Sequence, residues 1–366
     1  MVGTLRWQRI CSHDMGGSMG TPVKIISVGG GWVVNHRHLY ALRNSGLFRI
    51  LGVLSNDSHR AEATARRHGI RHFGTEIDFS IDWQSEAEAV MIGTVPHAHH
   101  SMIRAALQEG KHVLTEKPMT VDPTHGREMV ELAREKNCVL AVVHNFQFSR
   151  AAQAFRRDLA DGRMGALKAA YGVQLCNHAR KIPAWCDDLP LGLFYDEAPH
   201  FYYTLRWIGG GEIQLLNATV WKTHERRNTP RLVTAEYRSP EGTPLFLHIN
   251  FESSITEWHV TVVGEKATVD IDIWRDIYVR FPNDGVHSAK DIVRTSMAGA
   301  LQHFWGVFTG GLRHITHRHL YGNEEVVRRF YRAIHGEDSL AGMSAAEGLR
   351  VVEMQHELIQ KARYYD

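Results

Sequence analysis

Two groups of residues in this sequence have the types and spacing for proton transfer. Lys117 lies in Thr115-Glu116-Lys117-Pro118, behind Gly110-Lys111-His112-Val113-Leu114. Gly110 stops a helix, His112 to Thr115 form a short apolar strand, and the charged pair follows at the strand's carboxyl end. In an open α/β sheet that end is where ligands sit. Pro118 restrains the lysine backbone to an extended form, so Lys117 is a rigidly held amine at a sheet mouth; Glu116 reads as well as a strand-end carboxylate paired with a neighbour. The second group is Asp196 with His200, four residues apart at the start of a predicted helix ending at Gly209-Gly210. Two readings stand for this pair: an N-cap and a packed helix residue, or a carboxylate and an imidazole on neighbouring helix faces. A third cluster, His97, His99 and His100, has the composition of a metal site. It lacks a cysteine or carboxylate partner at helical spacing, so no metal is assigned.

The elements that must position these groups alternate. Val23 to Val28 reads as a strand, Gly29-Gly30-Gly31 as a turn, and the next residues as a helix reaching Gly46. Strand, glycine turn and helix form a dinucleotide-binding opening, in which glycines admit a pyrophosphate to the backbone and the helix offers free N–H groups. Gly29, Gly31, Trp32 and Val33 make up that turn. Gly29 and Gly31 fit G-x-G-x-x-G, but the sixth position is Val34, so helix and strand must approach by another route. The second strand, Arg49 to Leu54, ends at Ser55, where an NAD site usually carries an acid. Ser55 with Asn56 and Arg60 leaves room and positive charge for a 2′-phosphate, which favours NADP over NAD. The competing reading has Asp57 reach the ribose and Arg60 lie solvated on the helix. Ala89 to Ile92 is the next strand, with Thr94, Val95, Pro96 and His99 in a loop at the nicotinamide position before a helix from about Ser101. Asp122-Pro123 opens another helix, and Cys138 to Val143 a further strand leading to Asn145 and Gln147. This alternation predicts a parallel sheet up to about residue 145.

From residue 212 to 281 the pattern changes to about six short β-rich runs with hairpin turns, and residues 298 to 335 and 344 to 363 read as helices. A chain of 366 residues predicts two domains: residues 21–145 bind the dinucleotide, and residues 146–366 bind substrate and oligomerise, with the C-terminal helices able to pack back on the first domain. Residues 1–20 read as a flexible extension with alternative starts at Met15 or Met19. Arg313 to His319 reads as a polar, histidine-rich loop. A formal charge of +2 without like-charge blocks gives no reason to expect a nucleic acid or membrane partner. Four scattered cysteines without a C-x-x-C spacing suit a reducing cytoplasm.

The glycine turn, Thr94-x-x-His97-x-His99, Gly110 to Pro118, His144-Asn145-x-x-Phe148 and Gly162-Arg163-Met164-Gly165 together resemble the glucose-fructose oxidoreductase, inositol dehydrogenase and rhizopine-catabolism family, over nearly everything from residue 22 to the end. The resemblance implies an α/β fold: an N-terminal Rossmann dinucleotide-binding domain, then a C-terminal α/β domain with a large, mostly antiparallel sheet. It implies hydride transfer between nicotinamide and a hydroxyl or keto carbon of a sugar or cyclitol. A sheet of about six strands with helices on one face leaves the other face for a partner, which predicts a homo-oligomer joined through the C-terminal sheet. Asp196-x-x-x-His200 matches the family's Asp-x-x-x-His, which makes Lys117, Asp196 and His200 a proton-transfer set. Glu116, Asn145 and Gln147 then border nicotinamide or substrate. Relatives often carry arginine at Gln147 and aspartate at Tyr203. His178, Trp185, Tyr195 and Tyr202 are expected to stack on or hydrogen-bond the sugar, or to belong to the core. Burial and a cationic nicotinamide are expected to lower the Lys117 pKa so that lysine or histidine can exchange the hydroxyl proton. A glycosidase that oxidises its substrate transiently, and a non-enzymatic NADP sensor, are the competing functions.

Overall fold

A computed structural model describes residues 21–223, 228–285, 288–315 and 320–366. The expected N-terminal extension, and residues 316 to 319 of the histidine-rich loop, lie outside the described residues. Strands β1 (Val23–Val28), β2 (Phe48–Leu54), β3 (His72–Gly74), β4 (Ala89–Ile92), β5 (His112–Thr115) and β6 (Leu140–Val142) form an all-parallel sheet in the order β3-β2-β1-β4-β5-β6. Helices α1 (Leu39–Ser45), α2 (Ser58–His68), α3 (Asp82–Ser85), α4 (Pro96–Gln108) and α5 (Pro123–Glu135) join them. Every residue of β4 and β6 is buried, because a parallel sheet is covered on both faces and selects continuous apolar runs. The chain order reverses at β1 and β4, which opens a crevice at their carboxyl ends.

After α6 (Arg150–Ala160) comes β7 (Leu167–Asn177), then the short α7 (Leu193–Glu197) and α8 (Pro199–Ile208). Strands β8 (Gln214–Trp221), β9 (Leu232–Arg238), β10 (Pro244–Ser253), β11 (Glu257–Gly264), β12 (Ala267–Asp272) and β13 (Ile277–Pro282) follow. The long α9 (Ala289–Ile315), α10 (Asn323–Ile334), α11 (Ala345–Lys361) and β14 (Arg363–Tyr365) complete the chain. The second sheet has eight strands in the order β13-β12-β11-β7-β10-β9-β8-β14. It is larger than the expected six because β7 inserts centrally, parallel to β10, and β14 adds a parallel edge to β8. The remaining pairs are antiparallel. Strands β9 to β11 alternate buried and half-buried residues, the signature of a sheet covered on one face. The cover is α8, whose Phe201 comes so close to β7 that a Cβ on Gly172 would lie 2.9 Å from its ring.

Four boundaries differ from the sequence expectation. Helix α4 starts at Pro96 rather than near Ser101, with Pro96 in the first turn, so the three histidines sit on a helix and not in a loop. Asp196 is not an N-cap: it lies inside α7, and α8 starts at Pro199. The helical segment from 298 to 335, read with a polar loop at Arg313 to His319, has its first helix, α9, starting earlier at Ala289 and running to Ile315, and its second, α10, from Asn323, with Gly322 at φ 85° before it. The last helix stops at Lys361 because the chain continues as a strand. Helices α10 and α11 pack against the first sheet: Val326, Val327 and Phe330 share a core with Ile25 and Leu114, and Leu349 packs with Val142 and Met119.

Candidate active site

The glycine turn is held by geometry that only glycine allows. Gly29 has φ 118°, and a Cβ there would stand 2.4 Å from the Gly93 carbonyl oxygen. The close helix approach denied by Val34 at the sixth position is recovered at Gly93, which follows β4 and receives the Val34 side chain where its own Cβ would be. Asn35 ties the turn by donating to Gly30 O at 3.0 Å and Gly31 O at 3.1 Å. The helix then opens with a π-turn, Val34–His38, before α1. A groove of about 260 Å³ lies beside the turn, lined by Gly30, Gly31, Trp32, Asn35, His36, Arg60, Ala63, Thr64 and Arg67. Gly31 borders open space, and Arg60 lies across Gly30 and Ser55. The groove therefore suits the phosphate-bearing part of a dinucleotide: an open glycine backbone at a helix start, with two arginines and no carboxylate among its walls. Asp57 caps α2 by accepting from Arg60 N at 3.0 Å.

At the sheet mouth Lys117, just after β5, meets Asp196 of α7. Lys117 Nζ donates to Asp196 Oδ1 at 2.7 Å and to Asp196 O at 2.8 Å. Burial pulls the ammonium down, but Asp196 and Glu116 outweigh it and leave Lys117 above the ordinary lysine value. The sequence expectation of a lowered lysine is corrected, because two carboxylates stabilise the cation more than desolvation penalises it. Glu116 accepts from Lys117 N at 3.1 Å and bonds His38 Nε2 at 2.8 Å. Burial raises this carboxyl, yet the His38 hydrogen bond and the positive charges bring it down to about 2.

His200 stands behind this pair, with Nδ1 2.8 Å from the Tyr203 hydroxyl, and that hydroxyl accepts from Phe146 N at 3.1 Å. When the hydroxyl gives its proton to Nδ1, neutral His200 carries its own proton on Nε2. Burial, reinforced by Lys117 and Arg37, holds His200 well below the ordinary histidine value. It is thus a neutral ring offering an N–H, and not a cation. Phe146 and Trp258 pack beside the ring, at 4.5 and 5.6 Å between centroids.

The remaining expected residues divide. Thr94 and Val95 lie at the open end of β4, with Pro96 buried behind them. His99 is fully buried, its two ring nitrogens at Pro118 O (2.8 Å) and Thr94 O (3.2 Å), so it joins the two loops and does not face the cleft. Asn145 donates to Tyr321 O, and Gln147 to Gly342 O at 2.7 Å; both are buried. Tyr195 is also withdrawn, its hydroxyl donating to Val121 O. Tyr202 packs edge-on against Tyr237 within the core. Trp185 is half-buried against the second core, and His178 is exposed with Nδ1 near Ser253 O. Two residues of the site fall outside the catalytic set expected from sequence. Tyr203 follows His200 by three positions, a helix-neighbour spacing that could have marked it. His38 carries no local signal, because its partner Glu116 is remote in sequence. The carboxylates Glu257 and Asp272 also come together with His259, but Arg275 bonds both of them, which accounts for the cluster as an ion-pair network.

Residues 23–144 match the model of an oxidoreductase family with an NAD-binding Rossmann fold, GFO_IDH_MocA. These residues belong to that family. A 1,5-anhydro-D-fructose reductase of Ensifer adhaerens is 30% identical over 48% of this chain and 52% of its own length. A trans-1,2-dihydrobenzene-1,2-diol dehydrogenase of Bos taurus is 30% identical over 60% of this chain and 64% of its own. The chain thus spans between half and two thirds of the length of these relatives. Its fold matches that of the WlbA dehydrogenase from Bordetella pertussis, solved with NADH and UDP-GlcNAcA, at a TM-score of 0.71 and 16% identity over 93% of this chain and 96% of that one. No helix among the described residues is long and apolar enough to cross a membrane.

Proposed function

We propose that the protein is an NADP-dependent oxidoreductase that transfers a hydride between nicotinamide and a hydroxyl or keto carbon of a sugar, sugar derivative or cyclitol. The observation that carries this reading is the fixed pair of donors at the crevice mouth. Lys117 keeps one of its three N–H bonds after serving Asp196 twice, and His200 offers Nε2–H. Both are in the protonation state that polarises a carbonyl oxygen, so the resting site is charged for reduction. Asp196 orients the ammonium and stabilises its charge; Tyr203 and Phe146 N–H fix the imidazole. When bound, the nicotinamide supplies the hydride, and Lys117 supplies the proton to the forming alkoxide. The Gly29–Gly31 turn would hold the cofactor's diphosphate, with Ser55, Asn56, Arg60 and Arg67 around the adenosine 2′-phosphate.

The test is reduced-nicotinamide absorbance with NADPH and NADH separately, against keto sugars and keto cyclitols. Turnover with NADPH, and an Arg60→Ala variant whose KM rises about 10- to 100-fold for NADPH while changing little for NADH, supports the assignment. Equal use of both cofactors by wild type and variant sinks the preference for NADP. Binding without net redox change favours the transient-oxidation glycosidase. Among the described residues Cys138, Cys176 and Cys186 take part in no disulfide.

A homo-oligomer is part of this proposal, but the surface that supports it differs from the one anticipated. The open face of the second sheet is half-buried and mixed in character, whereas α9 presents an apolar stripe. Gln302 of α9 bonds both N and O of Arg280 on the edge strand β13, which fixes the helix against the sheet. Val293, Met297, Leu301, Phe304, Trp305 and Phe308 then point outward, each 55–70% exposed. Their combined exposed surface is on the order of 600–700 Å², close to the ~800 Å² each partner contributes to a standard stable interface. A second copy presenting the same stripe, antiparallel, would cover it.

A further inference from the structure

Resting on the oxidoreductase reading above, we propose that Arg37 is the anion-recognising residue of the cleft, its Nη fork receiving a carboxylate carried by the sugar or cyclitol substrate. Arg37 lies in the π-turn Val34–His38 that opens the first helix. Such turns re-aim side chains and are frequent at functional sites. The guanidinium sits 4.2 Å from the centroid of the Tyr321 ring and 5.2 Å from that of Trp32. Its Nε is shut off from water and has no partner. Among the described residues the guanidinium has no hydrogen bond or ion pair, and its two Nη atoms are not sealed in as Nε is.

The carboxylates that could serve Arg37 are already engaged. Glu116, whose field reaches Arg37, is bonded to His38 at 2.8 Å, and the other carboxylates of the site, Asp196 and Glu197, are paired with Lys117 at 2.7 Å and Arg180 at 2.6 Å. Arg37 is left as a half-buried cation without an anionic partner, its Nε shut off from water, which is costly unless an anion arrives. Burial is the dominant influence on it and leaves it below the ordinary arginine value, against the raising fields of Tyr321, Glu116 and Tyr203. Those same neighbours locate the charge. Arg37 acts electrostatically on His200 and Tyr203, at the end of the crevice where hydride transfer takes place. The open space for a diphosphate is instead at Gly31 and the Arg60 groove. A planar fork held between aromatic faces suits the two oxygens of a carboxylate. Gln147, whose position invites comparison with the arginine of relatives, cannot do this work, because its amide is spent on Gly342.

The experiment titrates D-glucuronate, D-gluconate and D-glucose against the NADP-loaded full chain, followed by calorimetry and by the fluorescence of Trp32 and its neighbours. Wild type, Arg37→Met and Arg37→Lys are compared, with circular dichroism and NADP affinity as controls. Wild type is expected to bind at least one of the two acids about 10- to 100-fold more tightly than glucose. Arg37→Met is expected to lose that preference while glucose and NADP affinities stay within about twofold. Arg37→Lys keeps the charge without the fork and should retain only part of the preference; it decides the matter if the methionine variant does not fold. Equal wild-type affinity for acids and glucose would overturn the proposal. A loss of NADP affinity in Arg37→Met would also overturn it, by assigning the guanidinium to the cofactor's diphosphate. The functional reading fails separately: Arg37-dependent binding of an acid with no hydride transfer to any compound tested removes the dehydrogenase and leaves the anion site.

Discussion

Removing the Lys117 amine is the perturbation with the most direct reading. In Lys117→Ala the crevice loses the ammonium whose third N–H the proposed mechanism gives to the substrate oxygen, and Asp196 loses both hydrogen bonds from Nζ, at 2.7 and 2.8 Å. A preorganised donor to a developing oxyanion in a partly dry site is worth about 3–4 kcal/mol, so kcat should fall about 10²- to 10³-fold. Most of that loss should appear in kcat and little in the affinity for NADPH, because the groove at Gly31 and Arg60 does not include the amine. Lys117→Arg should not rescue it, since the guanidinium cannot place one N–H at the Nζ position while serving both Asp196 oxygens. The assay is single-turnover oxidation of bound NADPH with the best keto substrate, alongside a fluorescence titration of the cofactor. A variant that binds NADPH normally and turns over at more than a third of the wild-type rate would refute the reasoning, and with it the role given to Asp196.

Three further outcomes are expected. Tyr203→Phe leaves Phe146 N–H buried without an acceptor and releases the tautomer of His200; it should cost about 1–3 kcal/mol in urea unfolding and lower kcat about tenfold with a smaller change in KM, whereas an unchanged kcat would reduce the hydroxyl to a structural role. Glu116, which falls from 4.5 to about 2 on folding, has a depressed pKa, so its stabilisation is present above the ordinary glutamate value and is lost as pH falls toward the folded one. That contribution is on the order of 3 kcal/mol at neutral pH, so the urea-stability gap between wild type and Glu116→Gln should shrink by more than half by pH 3; a gap independent of pH contradicts it. Wild type should run as a dimer or larger species in light scattering, and Phe304→Glu with Phe308→Glu should make it monomeric; a monomeric wild type removes the role given to α9.

Local chemistry makes the first domain legible from its residues. Continuous apolar strands, the Gly29–Gly31 turn and Asp122-Pro123 each act within a few residues, so the parallel sheet up to Val142 and the placement of Lys117 at a strand end follow from sequence alone. The pairing of Lys117 with Asp196 does not follow, since 79 residues separate them and only the docking of α7 against the sheet mouth brings them together. The same distance in sequence hid the sign of the lysine's shift: burial is foreseeable from an apolar neighbourhood, but the compensating carboxylates arrive through the fold. Asn145, Gln147 and Tyr195 have the polar side chains expected of binding residues, yet tertiary contacts with Tyr321, Gly342 and Val121 consume them. Arg37 is the converse case. Nothing around it in sequence distinguishes it from a solvated helix arginine; the π-turn and the arrival of Tyr321 from far along the chain give it a half-buried, unpaired position. Residue type and local spacing therefore determine which elements form and which groups can react, whereas electrostatic environment depends on neighbours remote in the chain and is decided only by packing.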